Sequence, residues 1–259
     1  SINSYVRFMK ELLFNQVDIL PENIHIPDGT LSKSDIADYC AAYEAKIEAL
    51  GGIDLQILGI GGNGHIGFNE SGSLQNSKTR LVALDHITRV AASNDFSGLD
   101  NTPRTAITLG VKKIMEAKRV ILMAWGVGKA NIIKASAEGP VTNLVPASFL
   151  QEHKNATFVI DKEAASKLTR INTPWLVEKI VWTDKLIRKA TLGLALHLKK
   201  PILMLTDADY IENGMSDLLA DSGPAYDINI KIFNKLQSTI TGWPGGKPNA
   251  DDSNRPERA

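Results

Sequence analysis

One short segment, GIGGNGHIGFNE at residues 59–70, carries the residues best suited to chemistry. His65 is followed five positions later by Glu70, so an imidazole and a carboxylate flank the same loop. A carboxylate that fixes the tautomer of a histidine is a recurring device of general acid–base catalysis. The pair therefore predicts a proton-transfer site. The sequence leaves one alternative open, in which His65 only caps a loop and Glu70 lies at the surface.

The glycines of this segment predict a backbone that can approach a ligand closely. Gly61, Gly62 and Gly64 lack a Cβ atom, so they adopt positive φ without strain and can aim N–H groups at an anion. A tight turn between a strand and a helix uses the same residue type. A ligand cradle and a purely structural turn are therefore both compatible with the pattern.

Lys129 is the second candidate for contact with a ligand. It follows WGVG, after an apolar run and at the predicted start of a helix. Its ammonium group and the unpaired N–H groups of a first helical turn both favour an anion such as phosphate. A lysine at this position can equally be a solvated surface residue.

Other reactive side chains predict neither a metal site nor a cofactor. Cys40 lies in a helical pattern, where a buried small side chain is expected. The acidic group Asp207, Asp209 and Glu212 is predicted to be a solvated loop. No metal-ligand spacing relates the remaining histidines to one another or to carboxylates: His25, His86, His153 and His197.

The elements that must position the loops alternate along the chain. Short apolar runs, typical of strands, are separated by helical patterns: 55–60, 80–84, 106–109, 120–125 and 157–160. This order predicts an α/β fold with three layers, a doubly wound and mostly parallel sheet with helices on both faces. The run 55–60 is expected to be buried on both sides. Ligands bind beyond the carboxyl ends of such strands, where the segments with His65 and Lys129 begin.

The pattern changes after residue 171. Residues 1–171 are predicted to form the α/β domain, and 172–242 an appended helical segment that includes one further strand at 202–205. Residues 243–259 are rich in proline, glycine and charge and predict a linker-like tail.

The composition excludes several partners. Basic and acidic residues number 29 each, so no net field favours nucleic acid or an anionic membrane surface. No apolar run approaches the ~18 residues that a membrane span needs, and no leader is evident. With a single cysteine, these features favour the cytoplasm.

The loop and its flanks, LGIGGNGHIGFNE, resemble the signature of glucosamine-6-phosphate deaminases. Further segments resemble that family in the same order, over roughly residues 3 to 170: VDILPENIHIPDG, SKTR, TPRTAITLGV, GVGKA and EGPVTNLVPASFLQEH. The resemblance implies a hydrolase of the deaminase and isomerase type, which converts glucosamine 6-phosphate and water to fructose 6-phosphate and ammonia. Related 6-phosphogluconolactonases share the fold, but the GFNE ending favours the deaminases.

The resemblance also implies roles for single residues. His65 would open the sugar ring, and Glu70 and Asn63 would orient it. Some family members carry aspartate where this chain has Asn63, and an amide can orient the imidazole without supplying negative charge. Gly61, Gly62 and Gly64 would line the substrate site. Lys129 would hold the substrate phosphate.

Departures from the family leave two alternatives to the deaminase. The family's phosphate loop, and the aspartate that abstracts the C2 proton, are expected to lie outside this chain. Asn94 replaces a phosphate-binding arginine, and Val82 replaces a basic residue of regulated enzymes. The alternatives are a sugar-phosphate-binding regulatory module without turnover and a lactonase.

Partners follow from the same resemblance. The expected partner is a small-molecule sugar phosphate, and a homo-oligomer is compatible with the family. The region after Thr173 resembles the part of longer members that leads to a deacetylase-like module, so such a module is expected in the full-length protein.

Overall fold

The computed structural model describes residues 4–241. The described residues form two compact units, which divide between Leu168 and Thr169, and each has its own hydrophobic core. The predicted tail at 243–259 lies outside the described residues. No helix within 4–241 is long and apolar enough to cross a lipid bilayer.

The first unit is an α/β structure. In chain order its helices and strands are α1 (Tyr5–Leu12), α2 (Ile36–Ala49), β1 (Leu55–Gly59), β2 (Arg80–Ala83), α3 (His86–Ala92), β3 (Thr105–Thr108), α4 (Val111–Met115), β4 (Arg119–Ala124), α5 (Ala130–Glu138) and β5 (Ala156–Ile160). Short 3-10 turns connect several of them.

A three-stranded parallel sheet with the order β1-β4-β5 forms the centre of this unit. It confirms the predicted α/β fold with a parallel sheet. Gly59 of β1 pairs with Met123 of β4, and Met123 pairs with Val159 of β5. The three strands therefore end at one edge of the sheet, where ligands bind in such folds.

Strands β2 and β3 depart from the predicted single sheet. They form a separate antiparallel pair, with Arg80 opposite Thr108. The physical reason is that residues 84–104, which connect them, bring the chain back beside β2 and do not cross over the parallel sheet. The N–H of Leu84 donates to Arg104 O, and the guanidinium of Arg89 donates to Leu99 O at 2.8 Å.

The core of the first unit lies on one face of the parallel sheet. Leu58, Val120 and Leu122 are buried there against residues of α4 and α5. On the other face, Leu55 and Ile57 of β1 are 48% and 58% exposed. The prediction that the run 55–60 is buried on both sides is therefore wrong for the described residues, because α4 and α5 pack against the face that carries Leu58.

The second unit is helical, which confirms the predicted appended helical segment. Its helices are α6 (Thr169–Asn172), α7 (Asp184–Leu198), α8 (Asp207–Glu212), α9 (Ser216–Ser222) and α10 (Ala225–Thr241). The strand predicted at 202–205 is wrong, because Ile202–Met204 forms a 3-10 turn. Backbone bonds from Met204 N to Pro201 O and from Leu205 N to Ile202 O close the turn locally.

Candidate active site

His65 and Glu70 meet in the loop that follows β1. Nδ1 of His65 lies 3.0 Å from Oε2 of Glu70, and the two side chains are 16% and 12% exposed. Partial burial strengthens such a bond, because little water competes for either partner. With Nδ1 facing the carboxylate, Nε2 is the ring nitrogen that can exchange a proton with a ligand.

Asn63 joins this pair through both ends of its side-chain amide. Its Nδ2 donates to Oε2 of Glu70 at 2.8 Å, and its Oδ1 accepts the N–H of His65 at 3.2 Å. The first bond fixes the carboxylate and the second fixes the backbone that carries the imidazole. The structure therefore brings together all three residues for which the resemblance implies a catalytic role.

Two further residues of the site are not predicted by the sequence. The N–H of Asp85 donates to Oε1 of Glu70 at 3.3 Å, and the hydroxyl of Thr88 lies 3.3 Å from Nδ1 of His65. Both belong to the start of α3, where Asp85 also caps the helix through Ile87 N. Their only sequence signal is that they follow β2, and the sequence does not predict that β2 pairs with β3.

Gly61 and Gly64 use their backbone N–H groups for hydrogen bonds within the loop. The N–H of Gly61 donates to His65 O, and the N–H of Gly64 donates to Gly61 O. Gly64 has a φ of +85°, and a Cβ there would lie 2.7 Å from Cγ1 of Val145. The N–H groups of Gly61 and Gly64 are therefore bonded within the turn, and contact of these two glycines with substrate stays a prediction. Contact of Gly62 with substrate stays a prediction.

Glycine is required at position 61 because the backbone there lies close to the imidazole of His65. A Cβ atom at this position would overlap the ring of His65, whereas one at Gly62 would meet nothing within 4 Å. We expect Gly61→Ala to displace His65 from Glu70 and to destabilise the first unit by about 1–3 kcal/mol. Gly62→Ala is the matched control and should stay within about 0.5 kcal/mol of the parent.

This prediction is measured by ¹⁵N NMR of the His65 ring, together with native-state hydrogen exchange of β1. A Gly61→Ala variant with unchanged ring signals and unchanged exchange would contradict the packing argument.

Lys129 connects the glycine loop to the loop after β4. Its Nζ donates to Ile60 O at 2.7 Å, and the side chain is half-buried. The helix predicted to start near Lys129 begins at Ala130, with Lys129 as its N-cap residue. An ammonium group has three N–H donors, so two can still bind an anion at this edge of the sheet.

Asn69 is a structural residue of the site that the sequence does not single out. It is fully buried, and its Nδ2 donates to Ile66 O at 2.9 Å and to Leu109 O at 2.8 Å. Nη1 of Arg80 donates to its Oδ1 at 2.9 Å. Burial lowers the pKa of the Arg80 guanidinium, because desolvation disfavours its charged form.

The predictions for Cys40 and for the acidic group at 207–212 have different outcomes. Cys40 is buried in α2, as predicted, and burial raises the pKa of its thiol. All three acidic residues lie in α8, so the prediction of a loop is wrong. Asp207 and Glu212 are exposed, whereas Asp209 is buried, belongs to the capping box and pairs with Lys200 at 2.6 Å. Lys200 first, and then the Thr206 N–H, hold the pKa of Asp209 below its usual value. Among the described residues no cluster of ligands could hold a metal ion.

Comparison with known proteins places this geometry in a family. Residues 1–159 match the family described as glucosamine-6-phosphate isomerases/6-phosphogluconolactonase. A glucosamine-6-phosphate deaminase-like protein of Bacteroides thetaiotaomicron is 55% identical over 259 residues, which is 100% of this chain and 39% of that protein. The glucosamine-6-phosphate deaminase of Hahella chejuensis is 47% identical over 169 residues, 65% of this chain and 64% of that enzyme.

A solved structure agrees with these relatives. A monomeric glucosamine-6-phosphate deaminase superposes with a TM-score of 0.62 and 38% identity, over 64% of this chain and 68% of that one. The chain spans less than two thirds of the length of the first relatives. The names of these relatives indicate deaminase chemistry, the family description adds isomerase chemistry, and neither gives the class name hydrolase. This chain belongs to the glucosamine-6-phosphate isomerase/6-phosphogluconolactonase family.

Proposed function

We propose that the full-length protein converts glucosamine 6-phosphate and water to fructose 6-phosphate and ammonia. The observation that carries this proposal is the bonded group of His65, Glu70 and Asn63 at the carboxyl edge of the parallel sheet. Relatives at 44% to 50% identity over this region are named for the same reaction. The proposal concerns the full-length protein, because this chain spans only part of those relatives.

His65 would act in the opening of the sugar ring. Nε2 would accept the proton of the C1 hydroxyl and return a proton to the ring oxygen as the bond between C1 and that oxygen breaks. Glu70 would hold the Nδ1 proton in place and stabilise the imidazolium that forms in between, while Asn63 keeps the carboxylate oriented. The step is a proton exchange, so it needs no further reactant.

Lys129 would bind the phosphate of the substrate. Its ammonium is held at the glycine loop by Ile60 O, so a phosphate bonded to its remaining N–H groups would lie beside that loop. A phosphate held at a fixed distance from His65 would orient the sugar for ring opening. Gly61, Gly62 and Gly64 would line the same site.

The remaining parts of the reaction are proposed to come from outside this chain. The uncovered face of the sheet at Leu55 and Ile57 supports this view, since parallel sheets bury both faces. The proton transfer at C2 and a second phosphate contact would belong to that further portion. A cytoplasmic location, a homo-oligomer and a deacetylase-like module likewise stay predictions of the sequence.

A regulatory sugar-phosphate-binding module is the second candidate function. Asn94 is exposed and carries no charge, and Val82 is an apolar residue near Arg80 in β2. Both weaken anion binding relative to arginine or lysine. The intact group around His65 favours turnover over this alternative, because binding a sugar phosphate does not need an oriented acid–base pair.

Product analysis tests the proposed function against its alternatives. With the full-length protein and glucosamine 6-phosphate we expect ammonia and fructose 6-phosphate in equal amounts. A parallel incubation with 6-phosphogluconolactone should show no hydrolysis above the spontaneous rate. Lactone hydrolysis without ammonia would overturn the proposal in favour of a lactonase, and saturable binding without either product would favour the regulatory module.

A further inference from the structure

Asp161 lies directly after β5, at the carboxyl end of the third parallel strand. Its Oδ1 and Oδ2 accept the N–H of Gly126 at 3.1 and 2.9 Å, and Oδ1 also accepts the N–H of Ala164 at 2.7 Å. The bond from Ala164 caps the turn that follows the strand. The bonds with Gly126 connect Asp161 to the loop after β4. A residue that only caps its own turn does not need this connection.

Gly126 starts the short turn that carries Lys129. Its φ of +84° suits glycine, and its carbonyl accepts the N–H of Lys129 at 3.0 Å. The ammonium of Lys129 then reaches Ile60 O at 2.7 Å. A continuous series of hydrogen bonds therefore leads from Asp161 through the turn to the glycine loop, and joins the ends of β5, β4 and β1.

We propose that Asp161 is a positioning residue for the anion site, which acts by fixing the turn that places Lys129 beside the glycine loop. The identity of the anion as a sugar phosphate rests on the proposed function. The position of the ammonium does not, because it is given by the bonds that link Asp161, Gly126, Lys129 and Ile60.

Neutralising the charge of Asp161 distinguishes a positioning role from an electrostatic one. A carboxylate near an anion site repels phosphate, so its neutralisation would strengthen phosphate binding if charge alone mattered. A positioning role predicts the opposite. In Asp161→Asn an amide donor replaces one of the two oxygens that share the N–H of Gly126, so the bond across to the turn is weakened and phosphate binding should weaken with it.

Chemical labelling of Lys129 tests the positioning directly. Full-length protein is treated with acetic anhydride and the acetylation of each lysine is followed by mass spectrometry, with exposed Lys134 of α5 as internal reference. We expect Lys129 to react more slowly than Lys134, and Asp161→Ala to accelerate Lys129 by roughly tenfold while Lys134 is unchanged. Asp161→Asn should show a smaller increase, and it serves if the alanine variant fails to fold.

Binding of inorganic phosphate provides the second readout. Asp161→Ala should raise the Kd for phosphate roughly tenfold when it is introduced into the parent protein. In a Lys129→Ala background the same change should not alter the Kd further, because Asp161 acts through Lys129. Unchanged Lys129 labelling, or equal losses of affinity in both backgrounds, would overturn the proposal. Absence of ammonia release would overturn only the proposed function, because neither readout depends on turnover.

Discussion

Replacing Glu70 by glutamine is expected to slow ammonia release from glucosamine 6-phosphate by about 100-fold or more, the scale of lost acid–base catalysis. The carboxylate accepts three donors, from Asn63, His65 and Asp85. A glutamine has one acceptor oxygen and one amide group, so at least one of those donors would face another donor. In either orientation of the glutamine, the imidazole would lose the negative charge beside it, which stabilises the imidazolium.

The kinetic pattern distinguishes this loss from a general defect. Because Lys129 and the glycine loop are unchanged, we expect kcat to fall while the inhibition by inorganic phosphate is retained. Glu163→Gln, the same change at an exposed residue, is the control and should leave kcat unaltered. A Glu70→Gln variant with near-normal kcat would show that the carboxylate does not assist His65.

Asn69→Leu is expected to destabilise the first unit by about 3 kcal/mol or more. Leucine has the branched shape of asparagine but provides no hydrogen bond, so Ile66 O, Leu109 O and the guanidinium of Arg80 would lose their shared partner. Each buried group left unsatisfied costs about 1–3 kcal/mol. The effect should be visible as faster native-state hydrogen exchange of the amides of β4.

Asn76→Leu is the matched control, since Asn76 is exposed in the same connection. It should change stability by no more than about 0.5 kcal/mol. Equal exchange rates for the two variants would contradict the structural role assigned to Asn69, and would leave the loop between His65 and Glu70 without an identified anchor.

Much of the site can be predicted because it lies within one continuous segment. His65 and Glu70 are five residues apart in a loop after an apolar strand, and Asn63 precedes His65 by two residues. Contacts of this kind depend on local sequence and on the end of a single strand. Lys129 can be predicted for a similar reason, since it follows the neighbouring parallel strand, which ends at the same edge.

Asp85, Thr88 and Asp161 could not be predicted, because their contacts depend on tertiary packing. Asp85 and Thr88 reach the site only because β2 and β3 pair antiparallel and their connection returns α3 to Glu70. Asp161 reaches Gly126 only through the alignment of β4 with β5. An apolar run indicates a strand but does not identify its partner.

The predicted strand at 202–205 is wrong for a related reason. A short apolar run is compatible with a strand or with a buried turn, and periodicity alone does not separate them. In the second unit, Leu205 O accepts the side-chain amide of Asn229, and the segment is closed by its own backbone bonds. Helical packing, rather than strand pairing, therefore satisfies its polar groups.

Ammonia release from glucosamine 6-phosphate by the full-length protein, measured beside His65→Ala, tests the central claim most directly. We predict release by the parent protein and a rate lower by about 100-fold or more in the variant, because ring opening loses its proton carrier. Release that is unchanged in His65→Ala would contradict the catalytic role of the loop. A parent protein that binds glucosamine 6-phosphate but releases no ammonia would contradict the deaminase function itself.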